Sequence, residues 1–113
     1  MTRPRDFAAL QGLARLLLDH RLSRLRQAVD RCDQTRMQIA ALDRPAEPDG
    51  LELAPSAQVS LRYQHWADVR RSELNTVLAR QTAEWLAARE DARHAFGRAE
   101  ALRGIAGRMK GRD

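Results

Sequence analysis

The sequence has little of what most small enzymes and secreted domains are built from. Of its 113 residues, one is a cysteine and five are aromatic. A lone Cys32 excludes an intramolecular disulfide, and so few aromatic side chains cannot fill a large globular core. The longest leucine run, Leu16–Leu18, is far shorter than the ~20 apolar residues of a membrane-spanning helix. Catalytic, disulfide-stabilised and membrane-spanning classes therefore gain no support.

The first twenty residues combine arginines with an apolar stretch, as targeting peptides do. Asp6 and Asp19 interrupt that stretch, and no small-residue cleavage site follows it. We therefore expect an amphipathic helix at this position and a cytoplasmic protein.

Long amphipathic helices are what the remaining composition indicates. Hydrophobic residues make up 43% of the chain and charged residues 31%, with 20 basic against 15 acidic side chains and a net charge of +5. Three of the four prolines, all except Pro4, lie in residues 44–55, which predicts one loop there. We expect one all-α domain, an antiparallel coiled-coil hairpin, with helices at about 6–43 and 56–106, Ser56 as a cap and a basic C-terminal tail.

Apolar residues recur in alternating steps of three and four, which is the pattern of a coiled-coil seam. The predicted seam of the first helix is Leu18, Leu22, Leu25, Val29, Cys32, Arg36 and Ile39. That of the second is Trp85, Ala88, Ala92, Ala95, Ala99, Leu102, Ala106 and Met109. Between them, Trp66, Arg70, Leu74 and Leu78 advance by fours and predict a stutter.

A hairpin folded at the centre of the loop pairs residues whose numbers sum to roughly 101. Leu17 and Leu18 then meet Glu84 and Trp85, and Phe7, Leu10 and Leu13 meet Ala95, Ala92 and Ala88. Large side chains would face small ones, as close packing requires. The same register leaves residues 102–113 projecting beyond the first helix.

The sequence contains no recognisable catalytic or metal-binding motif. His20, His65 and His94 lie too far apart to share a metal, and no HExxH, CxxC or phosphate-binding loop is present. Glu90 and Asp91, next to Arg89 and Arg93, are typical of a salt-bridged surface. We expect no enzyme activity and no cofactor.

Two groups of residues are candidates for binding a partner. The first lies at the predicted terminal end and consists of Arg3, Arg5, Arg103, Arg108, Lys110 and Arg112. The second is Tyr63, Trp66 and Arg70, unless the aromatic rings pack beneath the loop as core. Arginines elsewhere alternate with acidic residues, so a nucleic-acid-binding hairpin is the weakest of the functional readings. Because two helices enclose little core, self-association is also expected.

The second helix resembles the C-terminal helix of FliJ-type proteins, the coiled-coil stalk proteins of flagellar and related type III export machines. The similarity begins at Tyr63 and Trp66 and continues through Leu74 and Leu78. It includes Gln81 and Trp85, the segment AREDARHAFGRAEALR with Phe96, and the basic tail.

This resemblance implies an antiparallel hairpin whose terminal end enters the ring of a hexameric export ATPase. It also implies contacts with the export gate protein and with export chaperones. On this sequence the basic terminal residues would face the ATPase, and the segment 63–78, with Trp66 and Arg70, would face the gate or a chaperone. The alternative is a generic self-associating coiled-coil adaptor whose basic end docks on an acidic partner.

Overall fold

Two long helices account for nearly all of the structure. The computed structural model describes residues 3–43 and 57–111. Helix α1 spans Pro4–Leu42 and helix α2 spans Ala57–Lys110. No strand occurs in these two ranges, so the expected all-α helical hairpin is confirmed.

The hairpin divides into two compact units, each made of one piece of α1 and one piece of α2. The terminal unit comprises Met1–Val29 with Ala83–Asp113, and the inner unit comprises Asp30–Thr82. The loop expected at residues 44–55 and the cap expected at Ser56 lie outside the described residues.

Helix α1 begins two residues before the expected position. The Phe7 N–H donates to the Arg3 carbonyl at 3.0 Å, so Arg3 is the N-cap and Pro4 the first helical residue. Proline suits this position because its missing N–H would have no partner within the helix anyway. At the other end the Asp43 N–H donates to the Ala40 carbonyl at 3.1 Å and closes the last turn.

Steps of three and four persist along both helices, but the seam is partly different from the expected one. The buried and partly buried residues of α1 that follow this alternation are Phe7, Gln11, Ala14, Leu18, Arg21, Leu25, Ala28, Cys32, Thr35, Ile39 and Leu42; Leu17 and Ser23 are also partly buried. Those of α2 include Ala67, Arg71, Leu74, Leu78, Gln81, Trp85, Ala88, Ala92, Ala95, Ala99, Leu102 and Ala106. Cys32 is buried, as expected for a thiol on the apolar stripe.

Leu22, Val29 and Arg36 were wrongly assigned to the seam, since all three are exposed. For Leu22 and Val29 the prediction favoured larger apolar residues over alanine. Leu22 and Val29 are 38% and 37% exposed, whereas the neighbouring Ala28 is 4% exposed. Where alanines line both helices, the backbones approach closely and small residues fill the seam. Leu22 and Val29 therefore lie along its edge.

The predicted stutter is wrong for the same reason. Ala67, rather than Trp66, lies in the seam: Ala67 is 4% and Trp66 54% exposed. Likewise Arg71, rather than Arg70, lies in the seam. The alternating steps of four and three therefore continue into Leu74 without interruption. In α2, Met109 was also expected in the seam and is 44% exposed.

Contacts in the inner unit show that the expected register was wrong. The Thr35 hydroxyl donates to Gln81 Oε1 at 2.6 Å, and Arg71 Nη2 lies 2.6 Å from Asp43 Oδ1. The earlier register would have placed Thr35 near Trp66, so the observed pairing is displaced by about two heptads. Since Asp43 lies beside Arg71, residues 57–70 extend beyond the described part of α1.

The terminal unit has the same displacement. Leu17 shares a groove with His94 and Arg98, rather than facing Glu84 and Trp85. Leu10 and Leu13 line a groove with Leu102, rather than facing the expected alanines. The last turns of α2 therefore pack beside the first turns of α1 instead of projecting beyond them.

This packing accounts for the length of α2, which was expected to end near residue 106. Gly104 and Gly107 disfavour a helix by roughly 1 kcal/mol each relative to alanine. They are nonetheless helical, and no described glycine has a positive φ. Leu102 and Ala106 are partly buried, and Arg108 and Lys110 lie in the last turn, where positive charge interacts favourably with the helix dipole.

Replacing Gly104 and Gly107 by alanine is expected to stabilise this end of α2. A Cβ at either position meets nothing within 4 Å, so the gain is about 1 kcal/mol each. Amide hydrogen exchange of residues 103–110 should slow accordingly. A matched Gly97→Ala variant should stabilise by a similar amount without selectively slowing exchange in the last turns. Unchanged exchange in Gly104→Ala and Gly107→Ala would contradict the prediction.

Candidate functional site

Among residues 3–43 and 57–111, no group of three or more His, Cys, Asp or Glu side chains is placed to hold a metal. His94 Nε2 lies 3.3 Å from Glu90 Oε1, one helical turn away, and both side chains are exposed. The expected salt-bridged face is therefore only partly formed: among the described residues, neither Glu90 nor Asp91 forms an ion pair with Arg89 or Arg93.

Arginines elsewhere, exposed or partly buried, pair with carboxylates three residues away, as the interleaved sequence predicts. Arg70 Nη1 lies 3.2 Å from Glu73 Oε2, and Arg71 Nη1 lies 2.9 Å from Asp68 Oδ1. Such exposed pairs contribute little to stability, about 0–1 kcal/mol. They do divide the positive surface into mixed-charge segments.

The aromatic patch, defined as Tyr63, Trp66 and Val69, lies on the surface of α2. Its residues are 47%, 54% and 47% exposed, and the two ring centroids are 5.8 Å apart with 39° between the ring planes. Arg70, the third predicted binding residue here, follows Val69 and pairs with Glu73. With half of each aromatic residue exposed, these rings are not a buried core, and the patch presents apolar area with polar edges.

The basic pole, the group predicted at the terminal end, belongs to the terminal unit. Its described members, all exposed, are Arg3, Arg5, Arg103, Arg108 and Lys110; Arg112 lies outside the described residues. Antiparallel packing brings the start of α1 and the end of α2 to the same end of this unit.

Two members of the pole have partners within α2. Arg103 Nη2 lies 3.1 Å from Glu100 Oε2, and Arg108 Nε donates to the Gly104 carbonyl at 3.4 Å. Arg3, Arg5 and Lys110 have no ion-pair partner among the described residues. The pole therefore keeps most of its positive charge available.

Positive charge is concentrated in the terminal unit as a whole. Its described residues comprise 12 arginines and lysines against 6 aspartates and glutamates. The described residues of the inner unit comprise 6 basic and 5 acidic side chains. Acidic partners would thus be attracted preferentially to the terminal unit.

Sequence reasoning missed the apolar grooves along the terminal unit. One is lined by Leu10, Leu13, Ala14, Leu17, Arg98, Ala101 and Leu102, and another by Leu18, Leu22, Leu25, Arg89, Ala92, Arg93 and Phe96. The sequence did indicate exposed apolar surface here, because Leu16–Leu18 are consecutive and cannot all face one partner helix. Leu16 is 66% and Leu13 63% exposed.

Neither α1 nor α2, as far as each is described, is apolar enough over its length to cross a membrane. Comparison with protein-family models, with characterised proteins and with solved structures gives no significant match.

Proposed function

We propose that this chain is a non-enzymatic accessory protein of a flagellar or type III export system. In this proposal it is a cytoplasmic stalk that couples the hexameric export ATPase to the export gate protein or to export chaperones. The observation that carries the proposal is the basic pole, where the start of α1 and the end of α2 present Arg3, Arg5, Arg108 and Lys110 together. A positively charged terminal end of a hairpin suits insertion into the central opening of an acidic protein ring.

The placement of Arg3 and Arg5 supports a role in binding. A helix N-terminus carries a partial positive charge, so arginines there disfavour the helix by about 0.3–1 kcal/mol each. Asp6 in the same turn offsets part of this cost. Arg3 and Arg5 thus lower the stability of the helix while raising the positive potential at its start. A role in binding a negatively charged partner explains why arginines stand there.

The aromatic patch is the proposed contact for the gate protein or a chaperone. Trp66 and Tyr63 supply large, rigid apolar surfaces with polar edges, which is the composition of energetically dominant interface residues. Arg70 adds a positively charged group next to them, and this group already forms an ion pair with Glu73.

Neutralising the basic pole tests the stalk proposal without shortening α2. We expect Arg108→Gln/Lys110→Gln to bind a purified type III export ATPase about tenfold more weakly than the unaltered chain and to lose its effect on ATP hydrolysis. Glutamine is a good helix former, so the helix end should persist. Binding is measured by titration at two salt concentrations, and hydrolysis by phosphate release.

The matched control is Arg31→Gln/Arg80→Gln, which removes two exposed positive charges from the inner unit. It should bind and act as the unaltered chain does. The stalk proposal fails if the unaltered chain neither binds the ATPase nor changes its hydrolysis rate. An equal loss in both variants would show that net charge, and not the pole, is responsible.

A self-associating coiled-coil adaptor is the second candidate, favoured by the exposed apolar side chains of the terminal unit such as Leu13 and Leu16. Such an adaptor would form a concentration-dependent oligomer and would use its basic end on an acidic partner other than an ATPase. Sedimentation velocity of the purified chain, with and without the ATPase, distinguishes the two candidates.

A further inference from the structure

One lateral surface of the terminal unit combines exposed apolar side chains with arginines. Its floor is an open groove between the helices, lined by Leu18, Leu22 and Leu25 of α1 and by Ala92 and Phe96 of α2. Leu22 is 38% and Phe96 56% exposed. We call this surface, with Arg89 and Arg93, the arginine-rimmed groove.

The apolar strip continues along both helices at helical spacing. Val29, seven residues after Leu22, is 37% exposed, and Leu86, ten residues before Phe96, is 48% exposed. A groove with apolar residues spaced in this way accepts a third helix packed against both walls, because such a helix repeats its own apolar residues every three or four positions.

The rim of the groove is positively charged and lacks carboxylates. Arg89 and Arg93 both line it, no acidic residue does, and neither arginine has an ion-pair partner among the described residues. The Arg89 guanidinium carbon lies 5.8 Å from the centre of the Trp85 ring, which holds that side chain at the rim. Planar guanidinium groups in this position are suited to bidentate contacts with carboxylates.

We propose that the arginine-rimmed groove binds an acidic amphipathic helix of a partner protein, with leucine-type residues on Phe96 and Leu22 and Glu or Asp side chains on Arg89 and Arg93. The charges argue against a second copy of this chain seated on the same groove. Two such grooves face to face would oppose arginines with arginines, and like charges across an interface are strongly unfavourable. A partner with no carboxylates would bury the guanidinium groups unpaired.

Designed helical peptides test this directly. The probe is a fluorescein-labelled peptide of about 21 residues, long enough to form several helical turns, with leucines at seam spacing and glutamates flanking them. A second peptide has lysine in place of every glutamate. We expect the glutamate peptide to bind the full chain, by fluorescence anisotropy, at least about tenfold more tightly than the lysine peptide.

Charge reversal locates the binding. Arg89→Glu/Arg93→Glu should weaken the glutamate peptide by about tenfold and strengthen the lysine peptide. Arg31→Glu/Arg80→Glu changes the same number of charges at exposed positions of the inner unit and does not touch this groove, so it should leave both affinities unchanged. Phe96→Gln should weaken both peptides. Circular dichroism verifies that each variant stays helical.

Three results would overturn the proposal: equal affinity for both peptides, equal loss in the two charge-reversal variants, or self-association of the chain that Phe96→Gln abolishes. The last would assign the groove to a second copy. The experiment contains no ATPase and alters no residue of the basic pole in its test variants, so its outcome is independent of the export function proposed above.

Discussion

Replacing Leu74 by alanine is expected to lower the free energy of unfolding by about 2–5 kcal/mol. Leu74 is 4% exposed, and in the described part of the chain it is the largest buried hydrophobic residue, the others being alanines and Cys32. Truncation removes apolar contacts and leaves a cavity, because the surrounding structure relaxes only partially. Because small domains are stable by only about 5–15 kcal/mol, this one change removes a large share of the total.

Leu61→Ala is the matched control, since Leu61 is on the same helix and is 65% exposed. Both variants introduce alanine, so helix propensity changes equally and only burial differs. Urea unfolding followed by circular dichroism at two protein concentrations should show a large shift for Leu74→Ala and at most about 0.5 kcal/mol for Leu61→Ala. Equal effects would mean that the seam at Leu74 contributes little to stability.

The hairpin itself was predictable from the sequence because helix periodicity and the clustering of prolines are local signals. Helix ends were close to expectation except where tertiary packing intervenes. Gly104 and Gly107 weaken a helix in isolation, but α1 lies beside that end of α2. A purely local argument cannot include this neighbour.

The register was not predictable from the same signals. Ala88, Ala92, Ala95 and Ala99 repeat with the heptad, so sliding one helix by two heptads again places large side chains opposite small ones. Complementarity of size therefore supported an incorrect register as well as it supports the observed one. The polar pair Thr35–Gln81 distinguishes them, and its two members are recognisable as partners only after the helices are paired.

The candidate surfaces were predictable in part. The aromatic patch and the basic pole follow from residue type and position, and their members are exposed as described above. The arginine-rimmed groove was missed because Leu22 had been assigned to the seam. Which apolar stripe faces the partner helix depends on the small residue Ala28, whose weak hydrophobicity makes it inconspicuous in a sequence.

Removing the Thr35–Gln81 hydrogen bond is expected to loosen the register of the inner unit. Thr35 is 4% exposed, and its hydroxyl lies 2.6 Å from Gln81 Oε1. A polar pair in an apolar seam favours one alignment over its heptad-shifted alternatives, because any shift leaves both groups facing apolar residues. The pair thus contributes more to specificity than to stability.

The two single variants should lower the free energy of unfolding by different amounts. Thr35→Val leaves the Gln81 amide without its partner and should cost about 1–3 kcal/mol. Gln81→Leu should cost less, because the Thr35 hydroxyl can still donate to the Arg31 carbonyl, 3.1 Å away in the same helix. The double variant Thr35→Val/Gln81→Leu should be more stable than the sum of the single changes indicates, since no polar group is left unpaired.

Cross-linking measures the register separately from stability. With Cys32→Ala as the background, Asp43→Cys/Arg71→Cys places thiols at the residues whose side chains pair in the observed register. Asp43→Cys/Gln64→Cys reports a shift of one heptad. A short bifunctional maleimide should link only the first pair when Thr35 and Gln81 are intact, and both pairs when they are replaced by valine and leucine.

Cross-linking restricted to the 43–71 pair in the apolar double variant would show that packing alone selects the register. The alternation of large and small residues along the seam would then be less degenerate than the repeating alanines indicate. If both pairs form, a single partly buried hydrogen bond selects among alignments that are nearly equal in apolar contact. The alignment in turn determines which residues reach the basic pole and which line the arginine-rimmed groove, so loosening it should weaken binding at both surfaces while leaving the helical content unchanged.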